Sequence, residues 1–294
     1  MRTLEEARRA GATALLIGIA PQGGQLPAAW REVVASALGH GMDVWSGLHF
    51  FVGDDAEFAR LAASHGATIH DLRRPPANLP IASGRVREVK ATVLLTVGTD
   101  CNIGKMTTQL QLRDALRARG IRAAFVGTGQ TGILVEGWGT SVDAVIADFI
   151  AGAAEDLVLR AARDADIVLV EGQGSIIHPG YSGVTYGLIH GSLTHGLLLC
   201  HQPSRKTVMN NDWLPIPPLP DLIALHEQVL KPLRPARVVG VALNTFDLGD
   251  AVARSTITET ARATGLPCTD PVRYGPTPLI DAVLALHRAT QQKD

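Results

Sequence analysis

From residue 12 onward, short apolar runs alternate with glycine-rich or polar turns, and these lead into stretches where apolar residues recur at helical spacing. "ATALLIGIA" leads to a helix expected near 27–40, "DVWSGLHF" to one near 54–65, and "ATIHDL" closes the series. The opening "MRTLEEARRA" also reads as a helix and lacks the apolar centre of a signal peptide. Residues 73–90, "RRPPANLPIASGRVREVK", break the rhythm with proline and charge. Proline holds a chain extended and charge keeps it solvated, so this stretch is expected to cross between two domains, 1–80 and 81–294. The rhythm restarts with "ATVLLTV" and runs on through "RAAFVGT", "DIVLVEG", "GLLLCHQ" and "RVVGVALN". Strands that are apolar throughout are covered on both faces, and strands alternating with helices lie parallel. With right-handed crossovers the second half is predicted to form a three-layer αβα sandwich on a mainly parallel sheet. Ligands bind beyond the carboxyl ends of such strands, so the chemistry is sought there.

One strand end carries "TVGTDCNIGKMTTQLQL", residues 96–112. The spacing Gly98-x5-Gly104-Lys105 is one residue longer than the common phosphate-binding GxxxxGK[ST] pattern. Its physical requirement is still met. A glycine-permitted loop turns the amides of Gly98, Thr99, Asp100, Asn102, Ile103 and Gly104 inward, the following helix aims its positive end at the same spot, and Lys105 adds a full charge. Met106, however, stands where magnesium-dependent relatives of this motif keep a metal-binding hydroxyl. A thioether does not ligate a hard cation, and only a register shift to Thr107 would restore an oxygen. The loop is therefore expected to hold a diphosphate rather than cleave one, unless Met106 is simply a core residue. Cys101 either packs or, with its pKa lowered by the amides and Lys105, relays an acyl group.

Other strand ends supply candidate reacting groups. "EGQGSIIHPGYSGVTYGLIHGS", residues 171–192, follows the strand "DIVLV". Glu171 at its start either holds a magnesium ion, with Thr107, or orients a base. Histidine is the usual side chain for proton transfer at neutral pH; His178, in a proline- and glycine-rich loop, is either the general base or a structural residue capping a turn, and His190 is the second choice, with the structural role the stronger reading for it. Ser175 and Tyr181 in the same loop, with Gln130 and Thr131 from "GTGQTG" at 127–132, are the expected substrate contacts. Arg205, next to Lys206 in "HQPSRK", either clamps an acidic substrate bidentately or is solvated surface charge.

Composition narrows the partners. Lys plus Arg number 27 against 28 Asp plus Glu, with no long basic run, which speaks against nucleic acid. No apolar run is long enough to cross a bilayer. The 3 cysteines have no paired spacing for zinc or a disulfide framework, so a reducing cytoplasm is expected.

The wording "GTDCNIGK" resembles the loop of dethiobiotin synthetase and its relatives, and "DIVLVEGQGS" and "VVGVALN" resemble later strands of those enzymes in the same order. That resemblance implies a P-loop NTPase-like domain, with Glu171 beside magnesium and Asn244 meeting a nucleotide base. Longer stretches are more specific. "GTDCNIGKMTT", "GTGQTGIL" with "DAVIADFIAGAAE", and "EGQGSIIHPGYSGVTYGLIHGS" together resemble the D-glutamate N-acetyltransferase-like family, formerly a domain of unknown function loosely labelled a nucleotide-sugar epimerase. The match spans about 90–290, with a weaker Rossmann-like resemblance from 12 to 72. Family members usually begin with a further strand and helix, so this N-terminal domain is expected to be reduced. The resemblance implies acetyl-CoA as cofactor, a small amino acid such as D-glutamate as acceptor, and a homodimer or higher homo-oligomer. The alternative is ATP with Mg2+, phosphorylating a carboxylate or carbamate; a nucleotide sensor without chemistry ranks last. An epimerase is rejected, because "GIAPQGGQ" is not the GxGxxG of a dinucleotide site.

Overall fold

The computed structural model describes residues 3–19, 21 and 23–292 of the 294; Ala20 and Gln22 of "GIAPQGGQ" lie outside them. The first elements are α1 (Leu4–Arg9), β1 (Ala14–Ile17), α2 (Ala28–Gly39), β2 (Asp43–Ser46), α3 (Ala56–His65) and β3 (Ile69–Asp71). Then come β4 (Thr92–Gly98), α4 (Lys105–Arg117), β5 (Ala123–Val126), α5 (Gln130–Glu136), α6 (Ala147–Ala161) and β6 (Ile167–Val170). The chain continues with α7 (Ser182–Ser192), β7 (Gly196–His201), β8 (Thr207–Val208), β9 (Asn211–Pro215) and α8 (Leu219–Leu230). It ends with β10 (Arg237–Leu243), α9 (Asp250–Thr264), β11 (Cys268–Thr269) and α10 (Thr277–Gln291).

Two compact units result: residues 1–76 with 129–144, and residues 77–128 with 145–294. The first is a parallel sheet ordered β1-β2-β3, with Ala14 opposite Asp43 and Val44 opposite Ile69. Its core gathers Val34, Leu38, Val44, Val52 and Phe58. Helix α3 starts where the Asp55 carboxylate accepts the amides of Glu57 and Phe58, a side-chain cap for otherwise unpaired donors. The segment 129–144 joins this unit through Asp143, which pairs with the buried guanidinium of Arg73.

The second unit is built on a six-stranded sheet ordered β11-β10-β7-β4-β6-β5, every neighbouring pair parallel. β4 lies inside it, and all of its residues are buried. Successive side chains point to opposite faces of a strand, and the burial divides accordingly. Leu94, Ile167, Leu169, Leu198 and Cys200 pack with Leu112 and Leu116 of α4 and Leu279, Ile280 and Val283 of α10. The intervening Val93, Leu95, Val168, Val170, Leu197 and Leu199 are equally buried, on the side that α6 and α7 cover. Both faces of the sheet are thus dry, which is why its strands read as unbroken apolar runs.

Three features depart from the sequence pattern. The hairpin β8–β9 and the two-residue edge strand β11 are too short for periodicity to reveal. In the proline-rich stretch, residues 77–90 are not free linker: the amides of Ser83 and Gly84 and the Ser83 hydroxyl donate to the buried carboxylate of Glu155 on α6. No helix among the described residues is long and apolar enough to cross a membrane.

Candidate functional site

The loop between β4 and α4 leaves the sheet at Gly98. A Cβ there would lie 2.8 Å from Ile103 Cδ1 and 3.2 Å from Lys105 Nζ, so only glycine leaves room for the lysine stem to fold back over the strand end. Asn102 (φ 53°) and Gly104 (φ 106°) take left-handed conformations. Alternating hand in successive residues turns neighbouring amides the same way, the geometry of an anion-binding nest. Helix α4 then begins with Gly104 as its cap residue and no side chain closing it. The first amides of a helix have no intrahelical partner, so those of Lys105, Met106 and Thr107 stay available at the positive end of the dipole.

Most side chains of this loop turn into the protein. The Thr99 hydroxyl meets His201 Nδ1 at 3.0 Å, and Ile103 is part of the core. Asp100 is fully buried: Oδ1 accepts the Cys101 amide at 2.7 Å, and Oδ2 accepts Arg205 Nη1 at 2.8 Å and the Met209 amide at 2.7 Å. Asn102 is exposed, and Met106 and Thr107 are half-buried in the first turn of α4. The expected inward amide of Thr99 is spent on the Cys200 carbonyl, and that of Cys101 on Asp100, so the loop has the backbone nearer the helix start, not its side chains, to offer a ligand. Lys105 is the exception.

Lys105 is buried, and its Nζ donates to the Asp100 carbonyl at 2.6 Å. Among the described residues no carboxylate lies within ion-pair distance of it; the charge of Glu171 acts from further away. Burial consequently pushes the ammonium below the ordinary lysine range. Cys101 is shifted against a relay role, because burial outweighs Lys105 and raises the thiol.

Glu171 follows β6 directly and is buried. Its Oε2 accepts the Thr128 amide at 2.8 Å and its carbonyl accepts the Thr128 hydroxyl at 2.8 Å, which ties the ends of β5 and β6 together. Thr128 was not foreseen as a site residue; its one signal was a strand-end position in "GTG".

The loop after Glu171 brings His178 to the phosphate loop: a ring nitrogen of His178, the Cys101 sulfur and an Asp100 carboxylate oxygen lie within 4.8 Å of one another. The Gly180 amide donates to His178 Nδ1 at 3.0 Å. A backbone N–H can only donate, so Nδ1 is the acceptor and the neutral ring carries its proton on Nε2. Nε2 is buried without a hydrogen-bond partner, as is the Ser175 hydroxyl. Tyr181 lies against the imidazole, centroids 4.5 Å apart and ring planes tilted by 32°. This corrects the expected general base. In this orientation His178 has no vacant lone pair for a substrate proton.

The same hydrogen bond argues against a metal at the Asp100, Cys101 and His178 group. A metal-bound imidazole donates from its other nitrogen, whereas here that nitrogen accepts. Both Asp100 oxygens, moreover, are already engaged.

Several expected residues go elsewhere. His190 is exposed on α7, its Nδ1 2.8 Å from the Tyr186 carbonyl. Gly187 and Gly191 take the inward face against Ile150 and Ala151, which leaves His190 outward. Arg205 turns inward to Asp100, the Cys101 carbonyl and Gln202 Oε1, so its fork anchors the loop instead of clamping a substrate. Lys206 Nζ donates to the Pro203 carbonyl at 3.0 Å. Gln130 and Thr131 open α5 in the first unit, where Gln130 lies against Gly47. Asn244 sits just past the end of β10, with its amide on the His201 carbonyl and its Oδ1 accepting the Phe246 amide.

Comparison with known proteins adds a family. Residues 80–280 match the model described as "Domain of unknown function (DUF1611_C) P-loop domain", and residues 1–75 match its Rossmann-like partner, DUF1611_N. The chain is 43% identical over 290 residues to a D-glutamate N-acetyltransferase of Tritonibacter scottomollicae, covering 97% of this chain and 85% of that protein. A second protein of that name, from a Pseudoalteromonas species, is 36% identical over 281 residues, covering 95% and 82%. A crystal structure of a DUF1611 family protein from Anabaena variabilis superposes with a TM-score of 0.93 at 43% identity, covering 97% of this chain and 83% of that one.

Proposed function

Because this chain belongs to the DUF1611 family, two of whose members bear the name D-glutamate N-acetyltransferase, we propose that it is an N-acetyltransferase acting on the amine of D-glutamate. The acyl donor in this reading is acetyl-CoA, gripped through its diphosphate by the loop of residues 98–107. The observation that carries the reading is Lys105: a buried ammonium with one carbonyl partner, beside a helix start that no side chain caps. A buried charge is tolerated when it is paired, and a diphosphate pairs this one while taking the amides of Lys105, Met106 and Thr107. Met106 favours holding over hydrolysis, since it gives magnesium no oxygen at the position where P-loop enzymes use one. The acceptor's ammonium first gives one proton to solvent; the neutral amine then attacks the thioester carbon, the C–S bond breaks, and the second proton released from nitrogen ends on sulfur.

Ligand-induced stabilisation tests the reading. Acetyl-CoA at about 100 times its Kd is expected to add about 2.7 kcal/mol to the folded state without magnesium, seen as a raised Tm, whereas ATP does little. A rise with ATP that requires magnesium, and none with acetyl-CoA, transfers the loop to a kinase-like reaction. In Lys105→Ala the affinity for acetyl-CoA is expected to fall about 10- to 100-fold, the worth of a charge-assisted contact, by titration calorimetry. Unchanged affinity in that variant removes the loop from donor binding.

A further inference from the structure

The reaction proposed above moves negative charge onto the acyl oxygen as nitrogen adds to the carbon, and something must receive it. We infer that His178 Nε2–H is the oxyanion donor, a hydrogen-bond donor to the reacting carbonyl and not its base. This rests on the acetyl-transfer reading and deepens it. The Gly180 amide fixes Nδ1 as acceptor, which puts the ring's proton on Nε2. That N–H is buried without a protein partner, as is the Ser175 hydroxyl in the same loop, and buried polar groups are otherwise paired as a rule. Tyr181 holds the ring plane, and Ser175, whose carbonyl accepts the His178 amide, holds its backbone. A ring nitrogen lies within 4.8 Å of the Cys101 sulfur and an Asp100 carboxylate oxygen, which sets the imidazole beside the loop proposed to grip the diphosphate. No proton leaves His178 during the step. The nitrogen–carbon bond forms, the carbonyl electron pair shifts to oxygen against Nε2–H, the pair returns as the C–S bond breaks, and nitrogen's proton goes to sulfur.

The alternatives are weaker. Buried His226 also has an unpartnered Nε2, but it lies within α8 with Nδ1 on the Leu222 carbonyl, and nothing aims it at a ligand. Trp213 on the β8–β9 hairpin is exposed, and nothing among the described residues shows what would cover it.

Two replacements separate donor from base. Glutamine places an amide N–H near the position of Nε2 yet cannot accept a proton, and alanine does neither. His178→Gln is expected to keep kcat within about tenfold of wild type, while His178→Ala loses about 100- to 1000-fold with KM little changed. Nitrogen-15 NMR of the histidine-labelled wild-type protein, free of ligand, is expected to show the His178 proton on Nε2. Equal losses in the two variants, or a proton on Nδ1, overturn the assignment while leaving acetyl transfer intact. A wild-type protein that transfers no acetyl from acetyl-CoA overturns the functional reading, and the oxyanion role with it.

Discussion

Asp100→Ala is expected to destabilise the protein by about 3–5 kcal/mol, toward the lower figure, because it breaks a buried ion pair from one side. Asp100 is wholly enclosed, and Arg205 remains 19% exposed. Removing the carboxylate leaves a guanidinium with part of its hydration already lost, and strands the amides of Cys101 and Met209. Partial rehydration of Arg205 limits the damage. At the lower figure, and at about 2–4 °C per kcal/mol for a large domain, the loss corresponds to a Tm decrease of about 6–12 °C. The consequence for function is larger than the stability alone, because Asp100 and Arg205 pin the nest from beneath. Donor affinity is expected to fall together with Tm, although Asp100 offers no free oxygen to the ligand. Asp100→Asn keeps an acceptor for one amide and is expected to lie between alanine and wild type. A Tm within about 1 °C of wild type in the alanine variant would show that the pair is solvated and the loop self-supporting.

Gly172→Ala is expected to cost at least about 3 kcal/mol, or to prevent folding, by overpacking at a backbone contact. A Cβ on Gly172 would stand 1.7 Å from the Thr96 carbonyl oxygen. Neither side has a flexible atom to move. Thr96 is held in β4, and the Gly172 amide already donates to the Thr96 hydroxyl at 2.9 Å. The strands would have to part just beyond their last pairing, Leu95 with Val170, and carry Glu171 away from Thr128. The control is Gly183→Ala on α7, where a Cβ meets nothing within 4 Å. It is expected to stabilise by up to about 1 kcal/mol through helix propensity. Urea denaturation of both variants reads the contrast. If Gly172→Ala unfolds at the wild-type midpoint, the close approach of β6 to β4 is not as described.

Much of the second unit was visible in the chain itself. β4, β6 and β7 are buried on both faces, and that condition writes itself as uninterrupted Val, Ile and Leu. The loop after β4 was visible for a related reason: its shape is a matter of backbone, and the backbone's needs appear as Gly98, Gly104 and Lys105 at fixed spacing. Arg205 was misread because its partner lies 105 residues away, and spacing along the chain carries no information about a pair of that kind. His190 ranked behind His178 because both lie in the segment after one strand end; its direction was set by Gly187 and Gly191, which let α7 approach α6.

The sequence by itself determined the long buried strands of the second unit, the glycine and lysine spacing of the loop after β4, and to which family the chain belongs. Those are properties of local pattern. Only the tertiary structure decided that Asp100 and Arg205 neutralise each other, that Lys105 is buried with its ammonium on the Asp100 carbonyl and, among the described residues, no carboxylate at ion-pair distance, and that His178 Nδ1 accepts a backbone N–H where it was expected to take a substrate proton. Each of these depends on hydrogen-bond direction or on burial, quantities that arise from which groups fold against one another and that no residue carries alone.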